Sequence, residues 1–407
     1  MMNPRVDSFS KPWMLVCCLL VCALLLSSCG GGSGNDAPIP PVLPPVPPPV
    51  NVGGPGEFKA ATLLKTISSA EIAAAIKQDG SAAFVANPRY AVTAYRLDYL
   101  TIDGSGREIL ASALMALPQK PAGASSPVVG YQHATITREI EAPSHMTTLA
   151  SPEVVMASLG YIVLSADYVG YGISRGASHP YMLSGPSAAV VIDMLTAAKF
   201  WRQTQQVPDN KQLFLGGYSE GGYVTMATHR ALQAGISSHR NELVLATPAA
   251  GPFDVALTLD EALKLVRQQY PVIGQLLRPG LLKYLSDADR NNVRDALLQA
   301  VMGADSDVVF MSTALDDYLA DDRSSIELRS DVDDWRPELP VFLFHGPADT
   351  TVSYLNSTRT LQAMQAKGAA NLVSLTDCKA EPAGHLECVQ PFWQFMLTTF
   401  GIAAKDL

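Results

Sequence analysis

The 407-residue sequence predicts an α/β fold: a mostly parallel sheet of eight strands, helices on both faces, and a helical insertion towards the C-terminal end. Three observations carry this. Apolar strand-like runs alternate with helix-like stretches, as a parallel sheet with crossover helices requires. One run, 212–218, ends in Gly217-Tyr218-Ser219-Glu220-Gly221-Gly222 and opens directly onto a helix-like stretch. Between 254 and 336 the alternation stops and helical periods take over. With 48% hydrophobic and 16% charged residues the chain can bury a large core. A net charge of −9, with no Lys/Arg-rich run to neutralise phosphates, excludes nucleic acid as a partner.

In chain order, Arg5 and Lys11 precede an apolar run at 13–26, followed by Leu26-Ser27-Ser28-Cys29-Gly30. A spanning helix needs about 20 apolar residues, so this shorter run reads as a secretory signal over 1–28. The four residues up to Cys29 resemble the lipobox of bacterial lipoproteins. That resemblance implies cleavage before Cys29, lipid attachment to it, and, with Gly30 rather than Asp next, sorting to the outer membrane on its periplasmic or surface side. Membrane association would then run through an N-terminal lipid anchor, more than one acyl chain being needed for stable attachment. An ordinary signal peptide cleaved nearby is the alternative. Residues 29–56 are Gly/Ser-rich and then Pro-rich, a flexible stub followed by a stiff polyproline II spacer.

The core would occupy 57–253 and 337–407, with a helix at 69–77 near its start. Strands are expected at 94–102 and 108–117, a hairpin around Asp103-Gly104-Ser105-Gly106, then at 127–133, 161–167, 212–218, 242–247, 339–345 and 371–376. Helices follow at 152–159, 186–201, 221–234, 356–367 and 387–400. Ser219 thus comes after the fifth strand. In the insertion, 254–336, Leu259, Leu263, Val266 and Tyr270 mark one apolar face, and Val293, Ala296, Leu297, Ala300 and Val301 another, with Gly303 as a stop. Such an insertion between the sixth and seventh strands is the place of a cap or lid over a site; an appended bundle is the alternative.

The run ending in Gly217-Tyr218-Ser219-Glu220-Gly221 has the form of a nucleophile elbow. Glycines permit a turn too tight for a Cβ, Ser219 takes a strained backbone that exposes its hydroxyl, and the N–H of Glu220 at the helix start faces any oxyanion that forms. A Ser hydroxyl needs a base, and His385, in the small-residue loop Ala383-Gly384-His385-Leu386, is the candidate. Asp349, in the polar turn after the apolar run 340–344, would orient the imidazole; Asp377 and Asp254 are less well placed substitutes. The second oxyanion donor would come from the loop Tyr131-Gln132-His133-Ala134-Thr135-Ile136-Thr137, from Ala134 or Thr135. Of the other histidines, His345 would close a strand turn, His229 lies in the helix after Ser219 and His239 in the loop beyond. No His-Glu-x-x-His is present and no Cys-x-x-Cys follows Cys29, so a metal is not expected. Cys17, Cys18 and Cys22 go with the signal, which leaves Cys378 and Cys388. In an oxidising compartment they are expected to form a disulfide bracketing His385, two separate buried thiols being the alternative.

Together these residues resemble the α/β-hydrolase superfamily over roughly positions 90–400, including its Ser, Asp, His chain order. Within it they are similar to the secretory lipase group, the lipase A type of yeasts and its bacterial relatives. The likeness rests on Tyr131-Gln132-His133, Asp167-Tyr168-Val169-Gly170-Tyr171-Gly172, the elbow, the helical insertion, and the Asp349 and His385 loops. Many such hydrolases carry His-Gly where this chain has His133-Ala134. The resemblance implies a cofactor-free serine carboxylesterase or lipase with a lid that shapes an acyl pocket, acting on a small-molecule ester or lipid through an acyl-enzyme on Ser219. A peptidase or amidase on the same scaffold, and a non-catalytic binding protein, are the competing readings. For the anchor, Cys29→Ser is expected to leave an unprocessed precursor that incorporates no labelled palmitate; normal processing would refute it.

Overall fold

The computed structural model describes residues 48–407 apart from 79–85, 147, 236, 270–274, 276 and 304. The expected signal, Cys29 and most of the linker lie outside the described residues. Among those described, no helix is long and apolar enough to cross a membrane.

The strands are β1 Phe58–Ile67, β2 Val92–Ile102, β3 Glu108–Pro118, β4 Ser126–Gln132, β5 Ile162–Ala166, β6 Asp209–Tyr218, β7 Leu243–Ala249, β8 Val341–His345 and β9 Val373–Asp377. They form one sheet in the order β1-β2-β3-β5-β4-β6-β7-β8-β9. β1, β2 and β3 pair antiparallel, β3 meets β5 antiparallel, and every ladder from β5 through β4 to β9 is parallel. The expected hairpin is therefore β2–β3, in register from Val92↔Pro118 to Ile102↔Glu108. Among the described residues the sheet has nine strands rather than the expected eight, because β1 adds an edge, and Ser219 follows the sixth. β1 carries no clear alternation, and of its residues only Ile67 is buried. Its place is held by main-chain pairing to β2, which leaves little mark in side-chain pattern.

The helices around the sheet are α1 Ser69–Gln78, α2 Pro152–Ser158, α3 Ser184–Thr204, α4 Glu220–Ala234, α9 Leu355–Met364 and α10 Val389–Ala403. Alternate residues of the central strands feed two separate cores, one on each face. Leu213 and Leu215 of β6, with Ile162 and Leu164 of β5, pack with α3 and α4. Phe214 and Val163 point the other way, into a cluster with α1, α2 and α10. The period of two that marks a strand is thus read out on both sides, as a covered parallel sheet demands. α10 lies so close to β6 that a Cβ on Gly216 would come within 2.7 Å of Met396 Sδ.

The insertion is helical, with α5 Val255–Gln269, α6 Asp287–Met302, α7 Thr313–Leu319 and α8 Arg323–Arg329. Leu259 and Leu263 of α5 and Val293 and Leu297 of α6 are buried, as their spacing requires, and Gly303 ends α6 with φ +68°. Val301, expected on the same face, is instead exposed in the last turn of α6. Tyr270 lies outside the described residues. The residues after α8 bond to α4 of the core: Tyr223 Oη donates to the Ser330 carbonyl (2.6 Å) and Arg230 to the Asp331 carbonyl (2.6 Å), while Val255 N at the start of α5 donates to Asp331 Oδ1 (2.8 Å) and ties the two ends of the insertion together. A cleft lined by Arg230, Asp254, Asp260, Asp331 and Arg359 opens along this seam.

Burial, and then the charges of Asp254 and Asp333, push the Asp331 carboxyl up to about 7. A carboxyl raised in this way holds its proton in the folded state and loses it in the unfolded one, so stability falls as pH rises from the ordinary carboxylate range through 7. Asp331→Asn keeps the acceptor for Val255 N and removes the charge. It is expected to raise thermal stability at pH 8 by on the order of 1 kcal/mol and to leave it unchanged at pH 4, as read by calorimetry at the two pH values.

Candidate active site

The site begins with a close approach of main chains. An ideal Cβ on Gly221 would lie 2.0 Å from the Gln132 carbonyl oxygen, one on Gly217 2.5 Å from the same atom, and one on Gly222 2.2 Å from the Ala249 carbonyl oxygen. The start of α4 is therefore pressed against the ends of β4 and β7, an approach that only glycine permits. Ser219 sits at the apex with φ +56° and ψ −120°, a conformation rare for a residue with a side chain. Its N–H is taken by the Ala249 carbonyl (2.9 Å), which fixes the turn, and the hydroxyl remains partly exposed at the helix N-terminus.

His385 and Asp349 come to the same rim. Ser219 Oγ lies 2.9 Å from His385 Nε2, and His385 Nδ1 lies 2.5 Å from Asp349 Oδ2. With Nδ1–H donating to the carboxylate, Nε2 is left as the acceptor for the Ser hydroxyl. The three segments that carry these groups are also tied to one another. Tyr218 Oη, next to the nucleophile, donates to the His385 carbonyl (2.7 Å). Cys378 and Cys388 form the expected disulfide around the His385 loop. The Asp349 turn is laced to the same loop by Ala348 N donating to the Ala383 carbonyl (3.0 Å), and a Cβ on Gly346 would meet Cys388 Sγ at 2.9 Å. Of the substitutes for Asp349, Asp377 accepts from Tyr354 Oη (2.6 Å) and Asp254 from Leu257 N at the start of α5 (2.8 Å), so neither serves His385.

Asp349 has a further partner that the sequence reading did not assign. His345, the last residue of β8 and fully buried, has Nε2 within 3.1 Å of Asp349 Oδ2 and 3.0 Å of the Val352 carbonyl, while its Nδ1 accepts from Ser357 Oγ (2.8 Å). Oδ1 of Asp349 accepts from Thr351 N and Val352 N, both at 2.9 Å. Burial acts to raise the Asp349 carboxyl. The hydrogen bonds from His345 and His385, the charge of His385 and the Val352 N–H outweigh it and hold the group well below the usual carboxylate range. His345 thus does close the strand turn, and it does so on Asp349 itself.

Among the described residues, the N–H groups of Glu220, at the start of α4, and of Ala134 and Thr135, in the loop just after β4, meet no acceptor. That loop is held from behind by the Asp167–Gly172 motif. Tyr168 Oη donates to the His133 carbonyl (3.2 Å), Tyr171 Oη donates to the Ile136 carbonyl (2.5 Å), and the Tyr168 ring stacks on His133 at 4.0 Å. Tyr168 itself has φ +69°, so strained backbone occurs on both sides of the site. His229 is buried in α4 and stacks edge-on against Trp335, and His239 falls in a short 3₁₀ turn. His179 was not singled out from sequence: it is buried, with Nε2 2.6 Å from Glu220 Oε1.

No curated protein matches the chain. Among solved structures, a rice cell wall degrading esterase LipA from Xanthomonas oryzae shares 20% identity, over 86% of this chain and 100% of that one, with a TM-score of 0.65. Candida antarctica lipase A in its closed state shares 18%, over 88% and 86% of the two chains, with a TM-score of 0.53. At these identities the likeness is one of fold. The Hydrolase_4 family, described as serine aminopeptidase, S33, matches residues 144–375, which takes in Ser219 and Asp349 and stops ten residues short of His385. A match over more than half of the sequence, on a sheet and elbow of this form, makes the chain a member of that α/β-hydrolase family.

Proposed function

We propose that this protein hydrolyses carboxylic esters through an acyl-enzyme on Ser219. The observation that carries the reading is the unbroken line of hydrogen bonds from Ser219 Oγ through His385 to Asp349, at 2.9 and 2.5 Å. In the first half-reaction His385 Nε2 takes the hydroxyl proton as Oγ attacks the ester carbonyl. Asp349 keeps the imidazole in the correct tautomer and offsets the charge of the imidazolium. The oxyanion is met by the N–H of Glu220 and by that of Ala134 or Thr135. Collapse of the tetrahedral species expels the alcohol with the proton from His385. Water, activated by the same imidazole, then attacks the acyl-enzyme and releases the acid. In this reading the insertion forms a lid over the acyl pocket, and the protein works from the bacterial cell envelope on a lipid anchor at Cys29.

Support for esters over amides comes from two structural neighbours, one named as an esterase and one as a lipase. The family description, serine aminopeptidase, favours a second reading as a peptidase on the same scaffold. The two part on substrate: release of p-nitrophenol from acyl esters with no release from aminoacyl anilides supports the first, and the reverse supports the second. A fluorophosphonate probe is expected to leave one covalent adduct, on Ser219, by peptide mass spectrometry. Ser219→Ala is expected to lower kcat/KM by about 10⁴-fold or more with an unchanged circular dichroism spectrum. An adduct on another residue, or full activity in the Ala variant, would remove the mechanism.

A further inference from the structure

Next to the nucleophile is a buried carboxyl that the reaction above does not use. Glu220 supplies an oxyanion N–H from its main chain, while its side chain, 4% exposed, turns inward to His179, also 4% exposed. His179 Nδ1 lies 3.0 Å from the Val169 carbonyl and must therefore carry a hydrogen, since a carbonyl can only accept. Nε2 stands 2.6 Å from Glu220 Oε1, so one proton lies between imidazole and carboxyl. Placed on either atom, that proton leaves the pair without net charge. Among the described residues, no Lys or Arg forms an ion pair with Glu220. Tyr168, Tyr171, Tyr181 and Phe310 surround the His179 ring, and Tyr223 lies on the same helix as Glu220. Burial raises all four phenols well above their ordinary range, so they stay neutral in the working pH range. Arg175, just after the Asp167–Gly172 motif, and Asp307 of the insertion pair with one another at 3.3 Å, and Asp349 is occupied by His385 and His345. His179 is fixed in turn by its own main chain: its N–H donates to the Val309 carbonyl (2.7 Å), and its carbonyl accepts from Met311 N (2.8 Å).

Resting on the acyl-transfer reading of Ser219, we propose that His179 is a positioning residue that keeps the Glu220 carboxyl neutralised beside the oxyanion site, so that the N–H of Glu220 can stabilise negative charge. A bare carboxylate on the same residue would oppose the charge that develops on the substrate oxygen, and in a water-poor site that opposition is large. His179→Gln retains a donor towards Glu220 but cannot bring the proton. Its kcat for a p-nitrophenyl ester is expected to fall tenfold or more relative to the parent chain at pH 8, with KM changed less than threefold and the deficit shrinking towards pH 5 as the carboxyl takes up a proton. His179→Gln combined with Glu220→Gln removes the charge and is expected to recover at least fivefold of the lost kcat at pH 8. Glu220→Gln alone completes the cycle, and His179→Phe, with and without Glu220→Gln, repeats it should the first variant fold poorly by circular dichroism. A merely structural role predicts a double variant no faster than the His179 single variant, or a loss independent of pH; either result overturns the proposal. A parent chain that is labelled by fluorophosphonate and hydrolyses the ester separates this failure from failure of the underlying reading, in which the parent chain itself would be inactive.

Discussion

The approach of Gly221 to the Gln132 carbonyl governs the rest of the site. Without it the N-terminus of α4 could not lie against the end of β4. The approach is made possible by deleting side chains, and its stability comes from elsewhere: from Leu213, Phe214 and Leu215 buried on both faces of β6, and from α10 seated on Gly216. A strained Ser219 persists because the surrounding core over-determines it. Backbone conformations of this kind typically cost about 1–3 kcal/mol, small against the burial that two complete cores supply.

Electrostatics at the rim follow from the same enclosure. Burial alone would raise Asp349 and leave it a poor partner for an imidazolium. Four donors reverse this, two main-chain N–H groups on Oδ1 and two imidazoles on Oδ2, and they also leave the carboxylate no freedom to rotate. Because the carboxyl is depressed in the folded state, its contribution to stability is present above the ordinary carboxylate pKa and disappears only as pH falls well below it.

What could be read from the sequence divides by the range of the interaction. Ser219, its glycines, Asp349 after β8 and His385 in its loop each carry a local signal, a turn chemistry or an apolar run, and the structure brings all three side chains to one rim. The helical character of 254–336 was legible for the same reason, since Leu259, Leu263, Val293 and Leu297 repeat at helical spacing. β1 escaped because its place depends on main-chain pairing rather than pattern. The partners of Asp349 and Glu220 escaped for another reason. His345 is only four residues from Asp349, yet nothing in that spacing says that both side chains turn inward, and His179 reaches Glu220 across forty-one residues. The Asp167–Gly172 motif was visible as a string of residues, whereas its role in bracing the β4 loop through two phenol hydroxyls required the fold.

The insertion meets the catalytic rim at more than one point, and this bears on how it could act as a lid. Its segment around Asp307–Met311 bonds to the β4 loop through Asp307 N and the Thr137 carbonyl (3.1 Å), to Glu139 N through Asp307 Oδ1 (2.7 Å), and to both main-chain groups of His179. Phe310 packs edge-on to His179 and Tyr181, and Tyr181 Oη in turn lies 3.5 Å from Thr135 Oγ1. A lid that swung away as a rigid whole would have to break these bonds and would loosen the loop that carries Ala134 and Thr135. Motion confined to α5 and α6, with the 307–311 strip left in place, would leave that loop held. The strip then belongs mechanically to the catalytic core, although it lies within the insertion in sequence.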